Sequence, residues 1–97
     1  MLEQAGGGEV WFVQLKFARA VAEAGHAGWV TVAASASARE AGREAAFSYR
    51  NLQHPDAGFP RQLRIRREHD LRRQERDAAV DAAYKSLRAL ADNGWAA

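Results

Sequence analysis

The chain has 97 residues, a formal net charge of +2 and no cysteine. This length supports one hydrophobic core and no second domain. The absence of cysteine excludes disulfides, thiolate zinc sites and cysteine nucleophiles. The first residues carry two acids and no base, and the apolar stretch after them is interrupted by Gln14 and Lys16. These features are typical of neither a signal peptide nor a membrane span, so we expect a cytoplasmic protein.

The hydrophobic core is expected to be small. Alanine supplies 22 of the hydrophobic residues, which leaves 24 larger apolar side chains to exclude water. Burial stabilises a protein by roughly 25 cal/mol per Å² of apolar surface, and alanine offers little surface. We therefore expect a marginally stable monomer, for which a homodimer or a bound partner would be a natural complement.

The N-terminal residues form two predicted regions. Residues 1–8 include a glycine triplet, which predicts a flexible tail before a single domain at 9–97. Residues 9–25 fit two patterns. The odd positions from Trp11 to Phe17 are apolar, as in a strand, whereas Val13, Phe17 and Val21 also fit a helix with Gly25 as its C-cap. We predict a strand at about 9–18, and a helix remains the alternative.

The middle of the chain predicts a hairpin followed by a helix. The turn residues 25–28 precede an alternating segment at 29–33, which is typical of a second strand. Ser37 and Glu40 have the spacing of a capping box, which predicts a helix to about Asn51. Its inward stripe is expected to contain these residues: Ala38, Ala41 or Gly42, Ala45, Tyr49 and Leu52.

The last third of the chain predicts a loop, a strand and a helix. Both prolines lie in residues 54–60, which indicates a loop. Residues 62–66 alternate between apolar and arginine, which predicts a third strand with one basic, solvent-facing side. Asp70 can cap a helix that ends at Asn93 and Gly94, and its first turns are poor in apolar residues and are expected to project from the domain. The predicted fold is α+β in the order ββαβα, with one face of a three-stranded sheet covered by two helices.

No pattern of catalytic or metal-binding residues is present in the sequence. His26, His54 and His69 match no zinc spacing, and no glycine-rich phosphate loop precedes a helix. A turn, a loop and a strand end account for the three histidines. We predict no enzymatic activity, no metal and no cofactor.

The unusual feature is an arginine segment, residues 61–77, with seven arginines and four acids. Arginine favours bidentate contacts with carboxylates or phosphates. The acids sit at helical ion-pair spacing, so a solvated surface is the simpler interpretation. Because interleaved acids repel phosphate, we favour a protein partner over nucleic acid. The predicted partner-binding residues are Arg64, Arg66, Arg67, Arg72, Arg73, Arg76 and Trp95.

Two functions follow as hypotheses. The first is a non-catalytic protein-binding module, a small accessory protein that acts as an inhibitor or adaptor of a larger partner. An inhibitor of the anti-CRISPR kind is one compatible case. The abundance of alanine, arginine and glycine is typical of GC-rich bacterial or phage genomes. The alternative is a nucleic-acid-binding regulator that uses the strand and helix start at 61–76.

Overall fold

The computed structural model describes residues 10–22 and 24–93. Along the chain it contains strand β1 (Trp11–Lys16), a 3₁₀ turn (His26–Gly28), strand β2 (Val30–Ser35) and helix α1 (Ala38–Asn51). Strand β3 (Gln62–Arg67), a second 3₁₀ turn (Glu68–Asp70) and helix α2 (Arg73–Asn93) follow. The predicted α+β class and ββαβα order are confirmed. The predicted flexible tail at 1–8 lies outside the described residues.

The strands form an antiparallel sheet with β1 in the centre, in the order β2-β1-β3. The strand prediction for the first apolar segment is therefore confirmed, and the helical alternative is excluded for Trp11–Lys16. In the regular β1–β3 register, Trp11 lies opposite Arg67 and Lys16 lies opposite Gln62. Neighbouring side chains along a strand point to opposite faces. The register thus places the odd residues of β1 and β3 on one face and the even residues on the other.

The odd face of the sheet carries the main core. Val13 and Leu15 of β1 pack there with Val30 of β2 and with Ala41 and Ala45 of α1. Val13, Leu15 and Val30 are fully buried. The α1 residues that face this cluster include the small side chains of Ala41 and Ala45. The buried helix residues are Ala41, Ala45 and Ser48, while Ala38, Gly42 and Tyr49 of the predicted stripe are exposed.

Helix α2 packs on the even face. Phe12 forms a second buried cluster with Val10 and Ala79, and Leu71 packs against it. The arrangement of the helices thus differs from the prediction of a single covered face. The reason is that β1 is the central strand and has buried residues on both faces, Phe12 and Gln14 on one and Val13 and Leu15 on the other. Periodicity showed the odd face to be apolar but did not reveal that the even face is covered.

Close packing of α2 depends on a glycine in the turn before β2. A Cβ added to Gly25 would lie 3.1 Å from the Ala82 Cβ and 3.3 Å from the Ala78 carbonyl oxygen. The predicted turn is confirmed as a 3₁₀ turn, in which Ala27 (φ 56°) and Gly28 (φ 83°) adopt left-handed backbone. This turn therefore brings the start of β2 against the middle of α2. Within the described residues, no helix is long and apolar enough to cross a membrane.

The start of α2 differs from its prediction. Asp70 ends a 3₁₀ turn and accepts from Arg67, and α2 begins at Arg73. Glu75 supplies the N-terminal contact, because its Oε1 accepts from the backbone N–H of Arg72 at 3.3 Å. The predicted projection is not observed at Leu71, which packs against the buried cluster on the even face just before α2 begins.

The start of α1 matches its prediction, and a testable stability effect follows. The Ser37 Oγ accepts from the Glu40 backbone N–H at 3.2 Å. Replacing Ser37 with alanine should lower the free energy of unfolding by about 1 kcal/mol, because the donor loses its cap. Urea unfolding would measure this loss. Ser37→Asp restores an acceptor and should remain close to the original stability; an equal loss in both variants would contradict a capping role.

Candidate partner-binding surface

The side chains of β3 divide between the two faces of the sheet. Leu63 and Ile65 lie opposite Leu15 and Val13 on the odd face, and Arg64 and Arg66 lie on the even face. The predicted separation of apolar and basic residues is confirmed. The predicted exposure is reversed. Leu63 and Ile65 are 37% and 36% exposed, whereas both arginines are half-buried.

Arg64 is half-buried and contacts residues outside β3. Its Nε donates to the Gln14 Oε1 at 2.6 Å, and its guanidinium carbon lies 4.2 Å from the centre of the Trp29 ring. Burial and the neighbouring Arg66 lower the pKa of Arg64 below its ordinary value, while Glu75 acts in the opposite direction. These contacts join Arg64 of β3 to Gln14 of β1 and to Trp29, which lies just before β2. The prediction that it lies on a solvent-facing surface is wrong.

Two further predicted site arginines form ion pairs. The Arg67 guanidinium lies 3.3 Å from the Asp70 carboxylate and 5.5 Å from the centre of the Trp11 ring. Arg76 lies 4.0 Å from both Glu68 and Asp77. The charges of these arginines are thus partly neutralised by acids from the same segment. Local ion pairs are thus present, but the pairs that four-residue spacing indicated, Glu68 with Arg72 and Arg73 with Asp77, do not form among the described residues.

The remaining predicted arginines form no ion pair with an acid of the described residues. Arg72 and Arg73 are exposed where α2 begins, and no acid of the described residues pairs with either side chain. Arg66 is half-buried and lies opposite Phe12, which packs against Leu71 just before α2. The fold therefore brings Arg66 towards the start of α2. Trp95, the last predicted site residue, lies outside the described residues.

The backbone of β3 provides a feature that the side-chain pattern did not reveal. The Glu68 N–H donates to the Val10 carbonyl at 2.7 Å, so Val10 and Glu68 form a hydrogen-bonded pair. Along an antiparallel ladder, hydrogen-bonded pairs alternate with pairs whose backbone groups point away from the partner strand. Gln62, Arg64 and Arg66 consequently direct their backbone groups towards β1. The N–H and C=O groups of Leu63 and Ile65 point away from it, and we name these groups the β3 edge.

The β3 edge has no partner within residues 10–22 and 24–93. In that part of the chain β3 pairs with β1 alone, and no backbone hydrogen bond reaches Leu63 or Ile65 from another element. Unpaired edges of this kind accept additional strands unless they are protected. Sequence reasoning missed this site because an edge depends on strand order. The one relevant signal was the apolar side of the 62–66 strand.

The histidines are placed as their local sequence suggested. His54 is buried, and its Nδ1 accepts from the backbone N–H groups of Asp56 and Ala57 at 3.0 and 3.2 Å. His69 is exposed in the second 3₁₀ turn, and the His26 side chain lies outside what is described. In the described part of the chain, no group of three histidines, aspartates or glutamates could hold a metal ion.

A depression at the junction of β2 and α1 is a second candidate surface. It is open, and charged residues of both signs line it. Its lining residues are Ala34, Ser35, Ala36, Glu40, Arg43 and Glu44. The charged residues of this lining are neighbours on one exposed helix face, a usual arrangement for solvated ion pairs. The depression offers no convergent set of polar groups, so the β3 edge and the adjacent arginines form the stronger candidate.

Comparisons with models of known protein families, with curated proteins and with solved structures found no match to this chain.

Proposed function

We propose that this protein is a non-catalytic protein-binding module that binds a larger partner through the exposed residues of β3 and the arginines beside them. The observation that carries the proposal is the exposure of Leu63 and Ile65 next to Arg66. Contiguous exposed apolar surface that is rimmed by polar residues marks interaction sites, and Leu63 and Ile65 are neighbours on one face of β3. Arginine is also enriched where proteins bind one another.

The distribution of acids favours a protein partner over nucleic acid. Arg67 and Arg76 are held against Asp70 and Glu68, so the arginine segment is not a continuous basic stripe. Phosphate backbones favour uninterrupted positive surfaces. A folded protein or peptide with a few carboxylates and an apolar stretch fits the mixed surface better.

The proposed biological role is that of an accessory protein. A domain of this size acts most simply by occupying a surface of its partner, as an inhibitor or an adaptor does. The lack of cysteine suits a reducing cytoplasm. The alanine and arginine content suits a bacterial or phage genome.

A display selection with a random linear peptide library would test this function. We expect enriched peptides to be acidic, and to lose roughly tenfold or more in affinity when exposed arginines are reversed, because like charges then meet. The test variant is Arg66→Glu/Arg72→Glu/Arg73→Glu. The control, with the same charge change on exposed helix positions elsewhere, is Arg39→Glu/Arg43→Glu/Arg88→Glu. Equal losses in both variants would contradict a role for this surface.

Nucleic-acid binding is measured in parallel with labelled random-sequence duplex and single-stranded DNA. The proposal expects no binding at physiological salt. If about five arginines instead met phosphates, the slope of log affinity against log salt would be near −4 to −5. Such a slope, lost in the test variant and kept in the control, would replace the proposed function by the nucleic-acid alternative.

A further inference from the structure

The two faces of β3 present different chemistry to anything that joins the β3 edge. The strand has the sequence Gln-Leu-Arg-Ile-Arg-Arg and contains no acid. A strand paired with it would place alternate side chains beside Leu63 and Ile65 on one face, and beside Arg64 and Arg66 on the other. This alternation holds whether the added strand runs parallel or antiparallel to β3.

The apolar face of the edge has room for added side chains. Helix α1 covers the odd face with the small residues Ala41 and Ala45, which leaves Leu63 and Ile65 partly uncovered. Tyr49 is 39% exposed, and its hydroxyl donates to the Arg61 carbonyl at 3.4 Å, just before β3 begins. Apolar side chains from an added strand would cover this exposed surface.

Arg64 and Arg66, on the even face of β3, favour acidic side chains in an added strand. Arg66 has no acidic partner in the described residues and lies beside Arg64, whose guanidinium is engaged by Gln14 and Trp29. The mutual repulsion of these two arginines is one cause of the lowered pKa of Arg64. A carboxylate placed beside Arg66 would relieve that repulsion.

A second copy of this chain fits the edge poorly. Pairing Leu63 with Ile65 of the copy would set Arg64 directly opposite Arg64. Pairing Ile65 with Ile65 would set Arg64 opposite Arg66. Like charges directly opposite one another destabilise a strand pair. Charge therefore favours a different partner.

We propose that the partner adds an extended segment to β3 as a fourth strand, and that this segment alternates apolar and acidic side chains. The inference rests on the proposed protein-binding function and specifies its mode. Backbone hydrogen bonds to Leu63 and Ile65 supply affinity, and the alternating side chains supply specificity, as in other strand-addition complexes.

The probe for this inference is a short labelled peptide that alternates valine and glutamate and is long enough to pair with all of β3. Two control peptides have the same length: one has lysine in place of glutamate, and the other has the same composition with the alternation removed. The alternating acidic peptide should bind best. Its binding should slow hydrogen exchange at the Leu63 and Ile65 N–H groups more than at other exposed amides, because these donors become bonded.

A proline variant separates backbone pairing from side-chain contact. Because the Leu63 N–H points away from β1, Leu63→Pro removes a donor from the edge without removing a β1–β3 hydrogen bond. Leu63→Ala removes the side chain and keeps the donor. We expect Leu63→Pro to bind the peptide roughly tenfold or more weakly than Leu63→Ala, since a peptide carbonyl loses its donor. Circular dichroism checks that both variants fold.

Arg66→Glu provides a second measurement that does not depend on proline being tolerated. This variant should bind the alternating acidic peptide more weakly and the lysine peptide more tightly than the original chain does. Failure of the alternating peptide to bind, or binding without protection of Leu63 and Ile65, would overturn the inference. Concentration-dependent protection of those amides without peptide would assign the edge to a second copy instead. Library peptides that lose affinity in the Arg66→Glu/Arg72→Glu/Arg73→Glu variant but do not protect the Leu63 and Ile65 amides would leave the proposed function standing while this mode fails.

Discussion

Replacing Leu15 with alanine is expected to lower the free energy of unfolding by about 2–5 kcal/mol. Leu15 is fully buried in the central strand, in the core cluster that joins the sheet to α1. Domains of this size are typically stable by about 5–15 kcal/mol. Because the buried residues of α1 in this cluster include the small side chains of Ala41 and Ala45, the helix has little capacity to fill the resulting cavity. The variant should therefore be partly unfolded at moderate temperature.

Urea unfolding measures this effect, and Leu63→Ala is its matched control. The same side chain is removed there, but Leu63 is 37% exposed on an edge strand. Its loss should cost about 1 kcal/mol or less, since little cavity forms. The midpoint should fall much further for Leu15→Ala, with the slope against denaturant unchanged. Similar costs at both positions would contradict the buried, central position of Leu15 in this core.

Local sequence patterns predicted most of the elements. Alternating apolar residues identified all three strands, and the Ser37–Glu40 spacing placed the start of α1 within one residue. These signals depend on residues close together in the chain. The predicted start of α2 was wrong by a few residues because Asp70 can either cap a helix or accept a hydrogen bond from Arg67. The sequence does not decide between them, and the fold selects the second.

The candidate site was predicted less well because it depends on strand order and distant contacts. Arg64 and Gln14 are fifty residues apart in the chain, yet they share a hydrogen bond. Periodicity assigned Arg64 to the face opposite Leu63 but could not show that α2 and Trp29 would cover that face. For the same reason the β3 edge was not predicted. Whether a strand is central or at an edge follows from pairing.

Two arginines on one face of β3 thus have different environments. Arg64 lies in a polar layer under α2, where the Gln14 Nε2 donates to the Thr31 Oγ1 at 3.0 Å and the Gln14 Oε1 accepts from Arg64. Gln14 is 4% exposed and Thr31 is fully buried. Among the described residues, no hydrogen bond or ion pair of this kind is formed by the Arg66 side chain. We therefore expect Arg64 to support the fold and Arg66 to contact the partner.

The second large effect is expected from Gln14→Leu, which should lower the free energy of unfolding by about 1–3 kcal/mol. The substitution is close in size, but it leaves the Arg64 Nε–H and the Thr31 hydroxyl without their buried partner. Charged groups left in this way are especially costly. The comparison variant, Gln14→Leu/Thr31→Val/Arg64→Met, replaces the whole layer with apolar groups of similar shape.

The triple variant should be more stable than Gln14→Leu alone, because no polar group then remains buried without a partner. Urea unfolding of the three single variants, the doubles and the triple would give the coupling energies. Additive losses would show that these residues do not act as one network. If Arg64 acts within the fold as inferred, the triple variant should also bind the alternating acidic peptide nearly as well as the original chain, whereas Arg66→Met should not. Loss of peptide binding in the triple variant would instead place Arg64 in the interface.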